Sequence, residues 1–129
     1  MKPRETALRL KRFEADEKAR KVADIELMIR EFENIASDLD RQIQAEEDRT
    51  GIKDPAHFSY STFAKSASAR RDNLRSSADE LKGKLDAAIK ERDEAAEQLT
   101  RAATAEPRET ERTTSGRRRS ERSTGAALR

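Results

Sequence analysis

Residues 22–43 read VADIELMIREFENIASDLDRQI, and within them Val22, Ile25, Ile29, Phe32, Ala36, Leu39 and Ile43 recur at alternating steps of three and four. That spacing keeps apolar side chains on one seam of an α-helix and is the signature of a coiled coil. With Val22 at heptad position a, the a positions are Leu8, Ala15, Val22, Ile29, Ala36 and Ile43, and the d positions are Lys11, Lys18, Ile25, Phe32, Leu39 and Glu46. The seam is strong from Val22 to Ile43 and weak before it. Residues 5–49 contain no Gly or Pro and are rich in Ala, Glu, Lys, Arg and Leu, so one continuous helix is expected over them.

The helix is expected to stop at Thr50-Gly51-Ile52-Lys53-Asp54-Pro55. Gly51 suits the left-handed residue that closes a helix, and Asp54-Pro55 suits a turn. A second helix is expected from about 61, capped by the Ser61 hydroxyl, to about 104. Its seam runs Ala64, Ala67, Arg71, Leu74, Ala78, Leu81, Leu85, Ala88, Arg92, Ala95, Leu99. Two arms of similar length around a turn at about 50–60 predict an all-α fold, a long antiparallel two-helix coiled-coil hairpin. Ile43 then lies near Ala67, Phe32 near Ala78 and Ile25 near Leu85. The rival is one unbroken helix that dimerises, which Gly51 and Pro55 oppose.

Composition agrees with a fold that buries a stripe and not a deep core: 33% of the residues are hydrophobic and 42% charged, against roughly half and a quarter in ordinary globular domains. From Glu106 onward the chain carries seven Arg and four Glu, with Leu128 its one large apolar residue. Residues 106–129 are therefore expected to be a disordered Ser/Thr/Arg-rich tail. Its Arg117-Arg118-Arg119 cluster is either a solubilising feature or a contact for acidic surfaces or nucleic acid. Before the tail, 21 basic and 22 acidic residues are interspersed, without the basic stripe that a folded nucleic-acid binder presents.

Chemistry finds little footing. The absence of Cys excludes thiolate metal sites and cysteine nucleophiles, and His57 is the single histidine. No Gly-rich phosphate loop occurs, and no run approaches the ~20 apolar residues of a membrane span. The expectation is a non-enzymatic cytoplasmic protein with no cofactor and no small-molecule substrate, whose function lies in its partners.

Candidate partner residues fall in three groups. Met28 and Ile35, one heptad apart at position g, widen the stripe; they either complete the contact between the helices or form a binding face. Leu10 and Phe13 lie off the stripe, and with Leu8 they either anchor another protein or are buried by a local shift of helix phase. Lys18 would face Arg92 across the seam, so that this end either splays or is held by another protein. Phe58, Tyr60 and Phe63 either plug the turn or form a recognition knob, with Tyr60 expected to stay exposed. Arg71 sits on the seam near Leu39, where its head is expected to reach Asp38 or Asp40, and it either helps fix the register or is merely half-exposed.

Several segments are not demanded by any heptad. Leu8-Arg9-Leu10-Lys11-Arg12-Phe13 followed by Asp16-Glu17-Lys18, then Asp38-Leu39-Asp40-Arg41, the turn Gly51-Ile52-Lys53-Asp54-Pro55-Ala56-His57-Phe58, and Arg70-Arg71-Asp72-Asn73-Leu74 together resemble the flagellar export protein FliJ of alphaproteobacteria, over roughly residues 1–99. The resemblance implies a hairpin component of the flagellar type III export apparatus, at the cytoplasmic face of the inner membrane. Its implied partners are the hexameric export ATPase, the membrane-embedded export gate and export chaperones. By position along the hairpin, Leu8, Leu10 and Phe13 would match the ATPase-inserting end, and Met28, Ile35, Leu74 and Leu81 the gate-facing body. Pro107 departs from the family, whose second helix continues further. The other classes of function are a coiled coil that binds nucleic acid through the Arg-rich tail and a structural homodimer formed through the Met28 and Ile35 face.

Overall fold

In the computed structural model the backbone is described for residues 3–128 and the side chains for residues 3–105. Helix α1 spans Pro3–Thr50 and helix α2 spans Thr62–Leu128, joined by residues 51–61. The helices form an antiparallel hairpin with extensive contact between them. Both boundaries at the turn fall within two residues of the sequence reading. At its far end α2 is carried to Leu128, past the end expected near Thr104; the side chains of the 106–129 tail, its arginine cluster included, lie outside the described residues.

Two compact units divide the chain, one of Arg20–Ile89 and one of Met1–Ala19 with Lys90–Arg129. The Arg20–Ile89 unit holds all the buried apolar residues among those described. One cluster joins Val22, Ile25 and Ile29 of α1 to Ala88 of α2, with Leu81, Leu85 and Ile89 packed on it. The second joins Leu39 and Ile43 of α1 to Ala64 and Ala67 of α2, with Tyr60 and Leu74 packed on it. Ile25 thus shares a cluster with Leu85, and Ile43 with Ala67, as the seam register requires. Branched side chains on α1 meet alanines on α2, which lets the two backbones approach closely, and each buried Val or Ile contributes about 1.5–3 kcal/mol. By sequence Ala36 and Ala78 lie between the clusters; both are buried, while the large ring of Phe32 stays half-buried.

The reversal of direction follows from local chemistry. Gly51 adopts φ 74°, and its N–H donates to the Glu47 carbonyl at 2.8 Å, the single bond of a left-handed helix cap. Asp54 Oδ1 accepts from the Ala56 N–H at 2.9 Å, and the His57 N–H donates to the Asp54 carbonyl at 3.0 Å, turning the chain. Ser61 then caps α2: its Oγ accepts from the Ala64 N–H at 3.2 Å, and its carbonyl accepts from the Lys65 N–H at 3.0 Å, the pattern of an N-cap residue.

In the unit of Met1–Ala19 with Lys90–Arg129 no described residue is buried. Leu8, Lys11, Ala15 and Lys18 of α1, and Arg92, Ala95 and Leu99 of α2, are half-buried. Polar contacts join the helices here. Lys18 Nζ donates to Glu91 Oε2 at 3.1 Å, and Lys11 Nζ donates to Gln98 Oε1 at 3.2 Å. The expected clash of Lys18 with Arg92 is overturned: Lys18 takes the carboxylate one residue before Arg92, and Arg92 pairs with Asp93. A long side chain on a seam with little apolar content is free to reach sideways, so identity at a seam position does not decide its partner.

Candidate functional site

A shallow open groove runs beside Glu33, Ser37, Arg75, Ala78, Asp79 and Lys82, and its charges satisfy one another, with Lys82 Nζ 3.1 Å from Glu33 and 3.7 Å from Asp79. Glu33 holds Lys82 above its ordinary pKa through that hydrogen bond and its charge. Among the described residues no helix is long and apolar enough to cross a membrane, and no group of His, Asp or Glu side chains is arranged to hold a metal ion. The remaining candidates are surfaces.

The N-terminal surface is the first. Leu10 is 57% and Phe13 61% exposed; they lie three residues apart at positions c and f, adjacent on the face of α1 turned away from α2. No shift of phase buries them, because Leu8, Lys11, Ala15 and Lys18 hold the seam. Leu8 is half-buried on that seam, so the exposed pair is Leu10 and Phe13 alone.

The second surface is the turn, where the structure reverses one expectation. Phe58 is 95% exposed, whereas Tyr60 is half-buried against Leu39, Ile43, Ala64 and Ala67. The Tyr60 hydroxyl donates to Glu47 Oε2 at 2.9 Å, and burial together with that carboxylate pushes the phenol above its ordinary pKa. Tyr60 immediately precedes the Ser61 cap, so the chain entering α2 directs it onto the seam; a tyrosine suits that place because its ring is apolar and its tip polar. Glu46 receives the neighbouring contact, accepting from Ser61 Oγ at 3.0 Å and from Arg49 through two nitrogens at 3.1 and 2.6 Å. Arg49 first, and Ser61 with it, hold the Glu46 carboxyl below its usual range. Phe58 is left outside, stacked on His57 with ring centres 4.7 Å apart. The Ser59 N–H donates to His57 Nδ1 at 3.0 Å, fixing that imidazole as a turn residue.

The third surface is the flank of α1. Met28 is 41% and Ile35 37% exposed, so they do not complete the contact between the helices. Leu74 and Leu81, in contrast, are half-buried and packed on the two core clusters; the hairpin itself uses most of their surface. Leu27, 49% exposed on the outer face of α1, is a further apolar surface residue that the heptad pattern does not mark, because position f carries no periodic signal.

The seam polar residue behaves as its position suggests. Arg71 Nη1 donates to Asp40 Oδ1 at 2.9 Å, and Arg75 pairs with the other oxygen of the same carboxylate. Burial alone would raise the Asp40 carboxyl, but the hydrogen bonds from Arg71 and Arg75 outweigh it and hold the group below its ordinary pKa.

No family model, curated protein or solved structure matches the chain.

Proposed function

We propose that this protein is a non-enzymatic coupling component of flagellar type III protein export. It binds the export ATPase hexamer through Leu10 and Phe13, meets the membrane-embedded export gate through the Met28 and Ile35 flank, and escorts export chaperones. On this reading it works in the cytoplasm, peripheral to the inner membrane, and acts through binding energy alone. The observation that carries the reading is the pair Leu10 and Phe13, adjacent and more than half exposed on a helix whose seam there buries nothing. Large apolar side chains held on a rigid helix are what a groove in a partner takes. The antiparallel hairpin supports it, as does the likeness of its turn and of its Arg70-Arg71-Asp72-Asn73-Leu74 segment to the flagellar FliJ family.

The test is capture of a flagellar export ATPase hexamer by the full chain and by the Leu10→Asp, Phe13→Asp double variant. Capture by the parent and its loss in the variant, with helix content unchanged by circular dichroism, supports the reading. Capture by neither, together with normal swimming of a deletion strain, overturns it.

A further inference from the structure

The two long flanks of the Arg20–Ile89 unit differ in kind. In an antiparallel coiled coil the e positions of the two helices line one flank and the g positions the other. The e flank is closed by charge: Glu33 pairs with Lys82 at 3.1 Å, Asp40 pairs with Arg75, and Ile89 packs onto the core. The g flank holds Met28, Ile35 and Gln42 of α1 and Phe63, Arg70, Ser77 and Lys84 of α2. Three of the exposed large apolar residues, Met28 at 41%, Ile35 at 37% and Phe63 at 54%, lie on this flank, and the e flank has none. None of these seven g residues takes part in an ion pair with another described residue. The flank therefore has an apolar stripe with unequal borders. On the α1 side, position c adds Asp24, Glu31 and Asp38; on the α2 side Arg70 and Lys84 stand at g, with Glu80 at c. Asp38 is engaged by Arg41 within α1, whereas Asp24, Glu31, Arg70 and Lys84 have no ion partner among the described residues.

We infer that this g flank is covered by a second copy of the chain, related by a two-fold axis parallel to the helices, to give a four-helix dimer. The borders select both the occupant and the axis. A two-fold along the helices sets α1 of one copy against α2 of the other at unchanged height, so that Asp24 and Glu31 come opposite Lys84 and Asp38 opposite Arg70, twice over, and the apolar stripes meet between them. A two-fold across the helices sets α1 against α1 and α2 against α2, placing acid against acid and base against base. A contact two helices wide and about 30 Å long covers roughly 600 Å² on each partner, the lower end of what a stable dimer needs. Association in the micromolar range is expected of so small a contact. This dimer does not depend on the flagellar reading. If that reading holds, a partner binding at Met28 and Ile35 has to displace the second copy.

Sedimentation equilibrium of the full chain at micromolar concentrations tests it. The expected result is a monomer–dimer equilibrium reaching twice the 14.6 kDa chain mass. The Met28→Glu, Ile35→Glu double variant is expected to weaken it by roughly 100-fold, from the burial of two large apolar side chains per copy. Lys84→Glu weakens it, and adding Asp24→Lys with Glu31→Lys restores it. A spin label at Phe58→Cys reads the axis: the two tips lie side by side for the inferred two-fold and about 50 Å apart for the crosswise one, from the helix rise. A chain monomeric at every concentration, a dimer indifferent to the Met28 and Ile35 changes, a charge reversal that is not rescued, or widely separated tips would overturn the inference. Circular dichroism of each variant separates loss of association from loss of fold. Because the assay contains no ATPase, its failure is independent of the failure of ATPase capture.

Discussion

Arg71 reaches from the seam of α2 to Asp40 on α1, Nη1 to Oδ1 at 2.9 Å, and Arg75 holds the same carboxylate from the flank. Charged residues on a seam cost stability relative to apolar ones but restrict the ways in which two helices can pair. Arg71→Leu is therefore expected to raise the thermal midpoint by a few degrees while sedimentation reveals assembly states that the parent chain does not form. A lower midpoint with the same species as the parent would show instead that the ion pair stabilises the hairpin outright.

Asp40 and Glu46 both have carboxyls held below their ordinary pKa by arginine. A depressed folded pKa contributes stability that is fully present above the unfolded value, about 4, and is lost as pH falls through the lower folded value. The denaturant midpoint is expected to hold between pH 7 and 5 and to fall below pH 4. Asp40→Asn with Glu46→Gln should lower it at pH 7 and flatten its fall in acid.

The glycines of the two helical ends and bodies respond in opposite directions. Neither Gly51 nor Gly83 has an atom within 4 Å of the place a Cβ would occupy, so space does not decide. Gly51 has φ 74°, and Gly51→Ala is expected to cost about 1 kcal/mol of backbone strain. Gly83 lies inside α2 with ordinary helical geometry, and Gly83→Ala is expected to gain about 0.5–1 kcal/mol. Urea unfolding of the two variants checks the signs.

At the turn, Ser61→Ala removes both the cap of α2 and the donor to Glu46, and is expected to cost about 1 kcal/mol. Tyr60→Phe keeps the packed ring and loses one hydrogen bond to Glu47, at about 0.5–1 kcal/mol. Phe58→Ala, at a side chain 95% exposed, should leave the midpoint unchanged. An effect of Phe58→Ala larger than that of Ser61→Ala would contradict the turn described here.

Ile29→Ala, in the cluster with Val22, Ile25 and Ala88, is expected to cost about 2–4 kcal/mol. Leu10→Ala and Phe13→Ala should cost less than about 0.5 kcal/mol by the same chemical denaturation, as exposed positions do. The contrast separates apolar residues that hold the fold from those available to a partner.

Much of this arrangement was legible in one dimension. The three-and-four spacing from Val22 to Ile43 and from Ala64 to Leu99 named the buried residues, because burial of large apolar groups is the dominant favourable term and repeats with the helix period. Gly51 and Ser61 marked the turn for local reasons, one through its tolerance of positive φ and the other through its hydroxyl. Arg71 and Asp40 were brought together by the register those features impose.

Other outcomes depended on where the second helix lies. Lys18 was assigned Arg92 by its seam position but reached Glu91, because a flexible ammonium chooses among all groups within its length. Tyr60 turned inward and Phe58 outward, a choice made by the path of the backbone into α2 and not by the similar hydrophobicity of the two rings. Met28 and Ile35 read equally well as core or surface until the partner helix was in place. The sequence by itself determined the seam, the reversal and the pairing register, since each follows from periodic burial or from a single residue's conformational preference. Only the tertiary structure decided which flank charges close and which stays apolar and open, because that depends on side chains from both helices meeting at one edge.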